Sequence, residues 1–136
     1  MPDCIFCEIV RGDRPAHVVV DTDDVLAFLD ARPVFFGHTL VVPKRHYVTL
    51  PDLPVDLLVP VFSSVQRLAT AMVDGLGADG SFVAVNNVVS QSVAHLHVHV
   101  VPRRRKDGLR GFFWPRHKYA SDTDMAAYAA RLRAAL

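Results

Sequence analysis

Absences narrow this sequence first. No apolar run approaches the ~20 residues that a bilayer-spanning helix needs, so no stretch of the 136 residues reads as a membrane segment. The start, Met1-Pro2-Asp3-Cys4, has neither a basic nor an apolar region, so no secretory signal is visible and the expectation is a cytoplasmic protein. An excess of charge is missing too. Fifteen Lys and Arg stand against 14 Asp and Glu, for a net +1, which leaves no bulk electrostatic case for nucleic acid or a membrane surface. Only 2 cysteines are present, and in a reducing compartment a close pair favours metal or redox chemistry over a structural disulfide. There is no internal repeat, linker or low-complexity segment. An acidic cluster for magnesium and a G-x-x-x-x-G-K-[ST] phosphate loop are both lacking, so phosphate chemistry here would proceed without a magnesium requirement. What remains is an ordinary globular composition, 51% hydrophobic and 21% charged, of a length that makes one domain with a real core.

Against that background one stretch stands out. In Gln91-Ser92-Val93-Ala94-His95-Leu96-His97-Val98-His99-Val100-Val101-Pro102 three histidines alternate with large apolar residues. Alternation at period two predicts a half-buried strand, with His95, His97 and His99 on one face and Leu96, Val98 and Val100 on the other, toward a core. Imidazole serves as base, nucleophile or metal ligand near neutral pH.

The rest of the chain supplies a sheet around that strand. Cys4-Ile5-Phe6-Cys7 opens the sequence as a Cys-x-x-Cys knuckle. That spacing suits a zinc half-site or a redox pair, and its place at the chain start favours metal. A short helix follows, closed by Gly12. Strands are expected at 17–20, 25–30 and 37–43, with Asp30 at a strand end before the Pro33 turn and His38 at a strand mouth. His46 follows Pro43-Lys44-Arg45 and by itself reads as a loop histidine. The span Pro54 to Gly77 carries helical apolar spacing, with the regular helix beginning near Pro60. Ser81 to Asn87 reads as a strand that pairs with the histidine strand and brings Asn87 beside the histidine row. After Pro102 comes the basic run 103–106, a solvated loop or an attractor of polyphosphate. Gly111-Phe112-Phe113-Trp114 reads as an aromatic loop, and 123–136 as a helix with Ser121, Asp122 and Thr123 competing for its N-cap. The expected class is α+β: a mainly antiparallel five-stranded sheet with helices packed on one face. It forms a single domain over 1–136, with 107–136 as a C-terminal extension.

Two constellations emerge. Cys4 and Cys7 provide two thiolates, and a tetrahedral structural zinc needs two more ligands, for which His46 and His95 are the candidates. With His95 on metal, one ring nitrogen of His97 is free to attack phosphorus, provided that its other nitrogen finds an acceptor such as a backbone carbonyl. His99 and His38 would donate to phosphate oxygens or a leaving group, with Ser92 and Gln91 as uncharged donors beside them.

These residues resemble the signature of the histidine triad (HIT) superfamily, and in particular its zinc-containing bacterial members. The resemblance rests on Gln91 to Val101, on Phe28-Leu29-Asp30, on Gly37 to His46, on Asn86-Asn87 and on Cys4 to Cys7. It implies a HIT-like fold and a nucleotidyl hydrolase or transferase. Such enzymes act on nucleoside phosphoramidates, dinucleoside polyphosphates and similar adenylylated compounds through a nucleotidyl-histidine intermediate. By that resemblance His97 is the nucleophile, and His99 and His38 contact the phosphate. Asp30 binds the ribose, Phe6 and Phe28 enclose a purine base, and Asn87, Gln91 and Ser92 contact the α-phosphate. Cys4, Cys7, His46 and His95 hold a structural zinc, and a homodimer is expected. Two features depart from the pattern. The loop between Asn87 and Gln91 is short and lacks the usual glycines, which leaves Asn86 as the alternative to Asn87. The segment with Phe112, Phe113 and Trp114 lies outside the shared signature. The basic run leans toward a polyphosphate leaving group. The alternatives are a nucleotide-binding regulatory protein with little catalysis and a zinc-handling protein.

Overall fold

The computed structural model of the protein describes residues 4–110 and 115–136. They fall into two compact units, one ending at Arg105 and one running from Lys106 to Leu136. The aromatic segment Phe112, Phe113 and Trp114 lies outside the described residues.

The first unit is built on strands β1 (Val18–Asp21), β2 (Val25–Leu29), β3 (Thr39–Pro43), β4 (Gly80–Ala84) and β5 (Val98–Arg103), in the order β1-β2-β3-β5-β4. All neighbours are antiparallel, as expected. Helix α1 (Ile5–Arg11) precedes the sheet and α2 (Leu58–Leu76) lies in the connection from β3 to β4. Two single turns of 3-10 helix, Leu50–Asp52 and Val55–Leu57, lead into α2. Pro60 sits in the first turn of α2, where its missing N–H costs nothing. Gly77 ends the helix in the left-handed conformation, φ 67°.

The helices cover the sheet differently from the expected one-sided arrangement. Val61, Val65, Leu68 and Met72 of α2 pack with Val25, Ala27, Val41, Leu96, Val98 and Val100 on one face. Phe6 and Cys7 of α1 pack with Leu26, Phe28, Leu40 and Val42 on the other. The reason is legible in the central strands. Val25 to Leu29 and Leu40 to Val42 are continuous apolar runs, and a strand with no polar face must be covered on both sides.

The histidine stretch keeps its alternation while forming less strand than expected. Leu96, Val98 and Val100 all enter the α2-side core, yet the ladder starts only at Val98. Upstream, Leu96 N–H is taken by Tyr47 O at 2.7 Å instead of by a neighbouring strand. The buried polar side chains His38, Thr39, Ser64, His95 and His97 all have hydrogen-bond partners. Ahead of His38, Gly37 has φ 102°, a backbone conformation that side-chain-bearing residues rarely adopt, and a Cβ there would lie 2.5 Å from Leu76 Cδ1, which would have to shift.

In the second unit, α3 (Asp122–Ala135) is capped by Ser121, whose Oγ accepts from Asp124 N–H at 3.1 Å. Asp122 and Asp124 sit favourably at its positive end. Tyr119 and Tyr128 have ring centroids 5.8 Å apart, and the Arg131 guanidinium lies 4.5 Å over Tyr128.

Leu96 is fully buried beneath the histidine row. Leu96→Ala should lower stability by about 2–5 kcal/mol through lost burial plus a cavity. In urea the midpoint should fall with little change in slope.

Candidate functional site

The first cluster is assembled from distant parts of the chain. Cys4 is the N-cap of α1, and its Sγ accepts from Cys7 N–H at 3.4 Å. Cys4 Sγ lies 3.4 Å and Cys7 Sγ 3.6 Å from His95 Nδ1. His46 Nδ1 is 3.3 Å from Cys7 Sγ and 3.2 Å from His95 Nδ1. A tetrahedral zinc with Zn–S ~2.3 Å and Zn–N ~2.0–2.1 Å sets sulfur and nitrogen ligands about 3.5 Å apart and two nitrogens about 3.3 Å apart. The donor set therefore fits zinc in number, chemistry and spacing. The outer partner is also in place, since His95 Nε2–H donates to Pro43 O at 2.8 Å and leaves Nδ1 as the ligand lone pair. Burial pushes His95 down to about 4, which keeps it neutral. Burial and then the neighbouring Cys4 raise the Cys7 thiol, so a cation is what makes the Cys7 thiolate favourable.

Beside this cluster a cavity of about 780 Å³ opens on the α1 face, lined among others by Phe6, Phe28, Asp30, Ser92, His97 and His99. Phe6 stands edge-on to both Phe28 (centroids 5.3 Å) and His97 (5.1 Å), so one ring forms the apolar wall and buttresses the imidazole. His97 Nδ1–H donates to His95 O at 2.8 Å, which leaves Nε2 with the lone pair.

Next to it runs a chain of three groups. Val34 N–H donates to His38 Nδ1 at 3.0 Å, so neutral His38 carries its proton on Nε2 and donates it to His99 Nδ1 at 2.9 Å. His99 is left with Nε2–H as a donor. Asp30 Oδ2 lies 3.7 Å from His38 Nε2, and its Oδ1 accepts from Arg32 N–H at 2.9 Å. Asp30, His38 and His99 also resemble a two-histidine, one-carboxylate metal set in spacing. The Val34 bond disfavours that use, because a ligand nitrogen on His38 would have to be the protonated one.

A HIT domain model matches residues 11–106 of this chain. The chain belongs to the HIT domain family. HIT relatives include the adenylylsulfatase HINT3 of Arabidopsis thaliana, 37% identical over 79% of this chain; the match spans only 55% of that longer protein. They also include the adenosine 5'-monophosphoramidase HNT1 of Saccharomyces cerevisiae, 37% identical over 89% of this chain and 73% of that one. A crystal structure of a zinc-bound histidine triad family protein from Mycobacterium smegmatis superposes with TM-score 0.76 at 40% identity, covering 99% of both chains.

Within this HIT domain the expected site residues separate into groups. His97, His99, Asp30, Phe6, Phe28 and Ser92 line one cavity, and Cys4, Cys7, His46 and His95 share one cluster. His38 is 4% exposed and stands behind His99 instead of on the cavity wall. Asn87 and Gln91 do not line the cavity. Asn87 Oδ1 accepts from Leu50 N–H at 2.8 Å, and Gln91 bonds the backbone at Val48 and Val88. In the basic run, Arg104 donates to Leu76 O and Gly77 O at 2.7 Å each, at the negative end of α2. That placement takes away the support for a polyphosphate attractor at Arg104. His17, Arg14 and Arg32 line the cavity mouth without having been expected there. No local pattern marks them, since the fold alone brings the start of β1 against the end of β2. Among the described residues no helix is long and apolar enough to cross a membrane.

Two predictions follow from these geometries. The protein should carry one zinc per chain and not two by elemental analysis. Chelation should lower its stability by roughly 3–4 kcal/mol relative to free zinc at 100 to 1,000 times Kd. The second concerns acid. Burial chiefly, with His97 and His38 adding, lowers His99 to about 4, and burial likewise lowers His38 while Asp30 opposes. Below the ordinary histidine value of 6.5 the unfolded chain thus binds protons that the native site refuses. Stability should fall as pH drops from about 6.5 toward about 4. His99→Gln should flatten that fall, read as denaturation midpoints at pH 7 and pH 5.

Proposed function

We propose that this HIT protein is a nucleotidyl hydrolase or transferase that cleaves at the α-phosphate of purine nucleotide substrates. His97 Nε2 attacks the α-phosphorus and forms a phosphorus–nitrogen bond while the bond to the leaving group breaks. The leaving group departs with its electron pair and takes up a proton. Water then attacks the same phosphorus, the His97–phosphorus bond breaks, and a nucleoside monophosphate leaves. The observation that carries this reading is the His97 Nδ1–H···O=C bond to His95. It turns the lone pair of Nε2 toward the cavity and stabilises the positive charge that the ring acquires as it attacks.

The neighbouring groups take matching roles. His99 Nε2–H donates to a phosphoryl oxygen or the leaving group, and His38 orients His99 from behind. Asp30 takes the ribose hydroxyls, Ser92 a phosphate oxygen, and Phe6 and Phe28 enclose the base. Cys4, Cys7, His46 and His95 would hold a structural zinc, which would supply a rigid junction between α1 and the histidine stretch. The names of the two relatives, a phosphoramidase and an adenylylsulfatase, support substrates in which AMP is joined to nitrogen or to sulfate. A homodimer and a cytoplasmic setting complete the proposal.

His97→Ala or His97→Asn should lower turnover of an adenosine phosphoramidate by at least about four orders of magnitude, as expected when a covalent nucleophile is lost. AMP binding should persist. Intact-mass measurement during turnover should detect adenylylated wild-type protein and none of the variant. Undiminished turnover in the variant would refute the mechanism.

A further inference from the structure

Hydrogen bonds lace the stretch His46 to Leu50 onto the connection between β4 and β5. Leu96 N–H donates to Tyr47 O at 2.7 Å, Gln91 Nε2 to Val48 O at 2.6 Å, and Leu50 N–H to Asn87 Oδ1 at 2.8 Å. Val88 N–H closes the network on Gln91 Oε1 at 3.0 Å. One end of the laced stretch is His46 of the metal cluster. The other is anchored by the Thr49–Asp52 capping box and by the buried Leu53.

The connection itself is strained. Val88 has φ 68° and Ser90 φ 63°, a left-handed backbone that a β-branched residue rarely adopts. Such conformations persist only where the surroundings over-determine them. Here the surroundings are the two ends of the Gln91 amide, one gripping Val88 and the other the 46–50 stretch. The next residue, Ser92, lines the cavity.

We propose that Gln91 is a positioning residue that straps the 87–91 loop to His46–Leu50, so that occupancy of the Cys4–Cys7–His46–His95 site sets the placement of Ser92 at the cavity. The proposal rests on the zinc and nucleotide readings above and replaces a direct phosphate contact for Gln91. Its amide oxygen and one amide N–H are already engaged with backbone, and the side chain does not line the cavity. Because coupling between two sites is reciprocal, a broken strap weakens the metal as the absence of metal loosens the loop.

The test uses the full chain, loaded with zinc. Hydrogen exchange is followed for peptides covering 87–92 and for the strand 39–43 as an internal control. In Gln91→Ala the loop should exchange at least about fivefold faster while the strand is unchanged. Zinc affinity, read by competition with a chromophoric chelator, should fall at least about fivefold, the low end of ordinary site-to-site coupling. Removing zinc from the wild type should accelerate the same loop peptides, and removing it from Gln91→Ala should add little. Gln91→Glu is the second variant. It keeps the volume and the acceptor for Val88 but sets a carboxylate against Val48 O, so it should release the strap with the Val88 turn intact. Wild-type loop exchange and zinc affinity in both variants, together with weakened AMP binding, would make Gln91 a phosphate contact and overturn the proposal. Loop exchange indifferent to zinc would overturn it as well. Failure of the wild type to bind AMP would refute the nucleotide reading alone, since the exchange and zinc measurements contain no nucleotide.

Discussion

A neutral imidazole has one nitrogen that donates and one that accepts, and in this protein the backbone claims one of the two at His95, His97 and His38. Pro43 O takes Nε2–H of His95, His95 O takes Nδ1–H of His97, and Val34 N–H fills Nδ1 of His38. Three histidines of one chemical type thereby acquire three different free atoms. One is a lone pair facing two thiols, one a lone pair facing a cavity, and one a donor turned to His99. No acidic residue is needed for the first two assignments.

This division of labour depends on the sheet being covered on both faces. The α2 face takes Leu96, Val98 and Val100 as anchors. The opposite face is where α1 lies, and the Cys-x-x-Cys knuckle, Phe6, the cavity and the histidines all meet there. Burial on that face favours the neutral form of His38, His95 and His99, and neutrality gives their tautomers a meaning. Packing, desolvation and chemistry are thus one arrangement seen at three scales.

Much of this was legible in the residues themselves. Period-two alternation marked which side of the stretch enters the core, and Cys4-x-x-Cys7 with His46 and His95 marked a donor set. Other features were not legible, because they depend on which backbone groups the fold leaves over. His38 looks like a phosphate contact by its place at a strand mouth and stands instead behind His99. Asn87 and Gln91 look like free polar groups, yet Asn87 Oδ1 accepts from Leu50 N–H, and Gln91 donates to Val48 O and accepts from Val88 N–H. Arg104 looks like part of a solvated cationic run and serves the last carbonyls of α2. The two-sided covering was written in the unbroken apolar runs of β2 and β3, a signal that alternation elsewhere in the chain obscures.

The N-cap of α1 has a consequence for how the chain comes together during synthesis. Cys4 and His95 are separated by 91 positions, and Phe6 lies between the two thiols in the same helical turn. Phe6 and Cys7 have Leu26, Phe28, Leu40 and Val42 to dock on once those strands are made, whereas the metal cluster cannot close before His95 is added. Closing so long a loop is entropically costly. Completion of the donor set is therefore a later event than formation of the apolar wall on the same face.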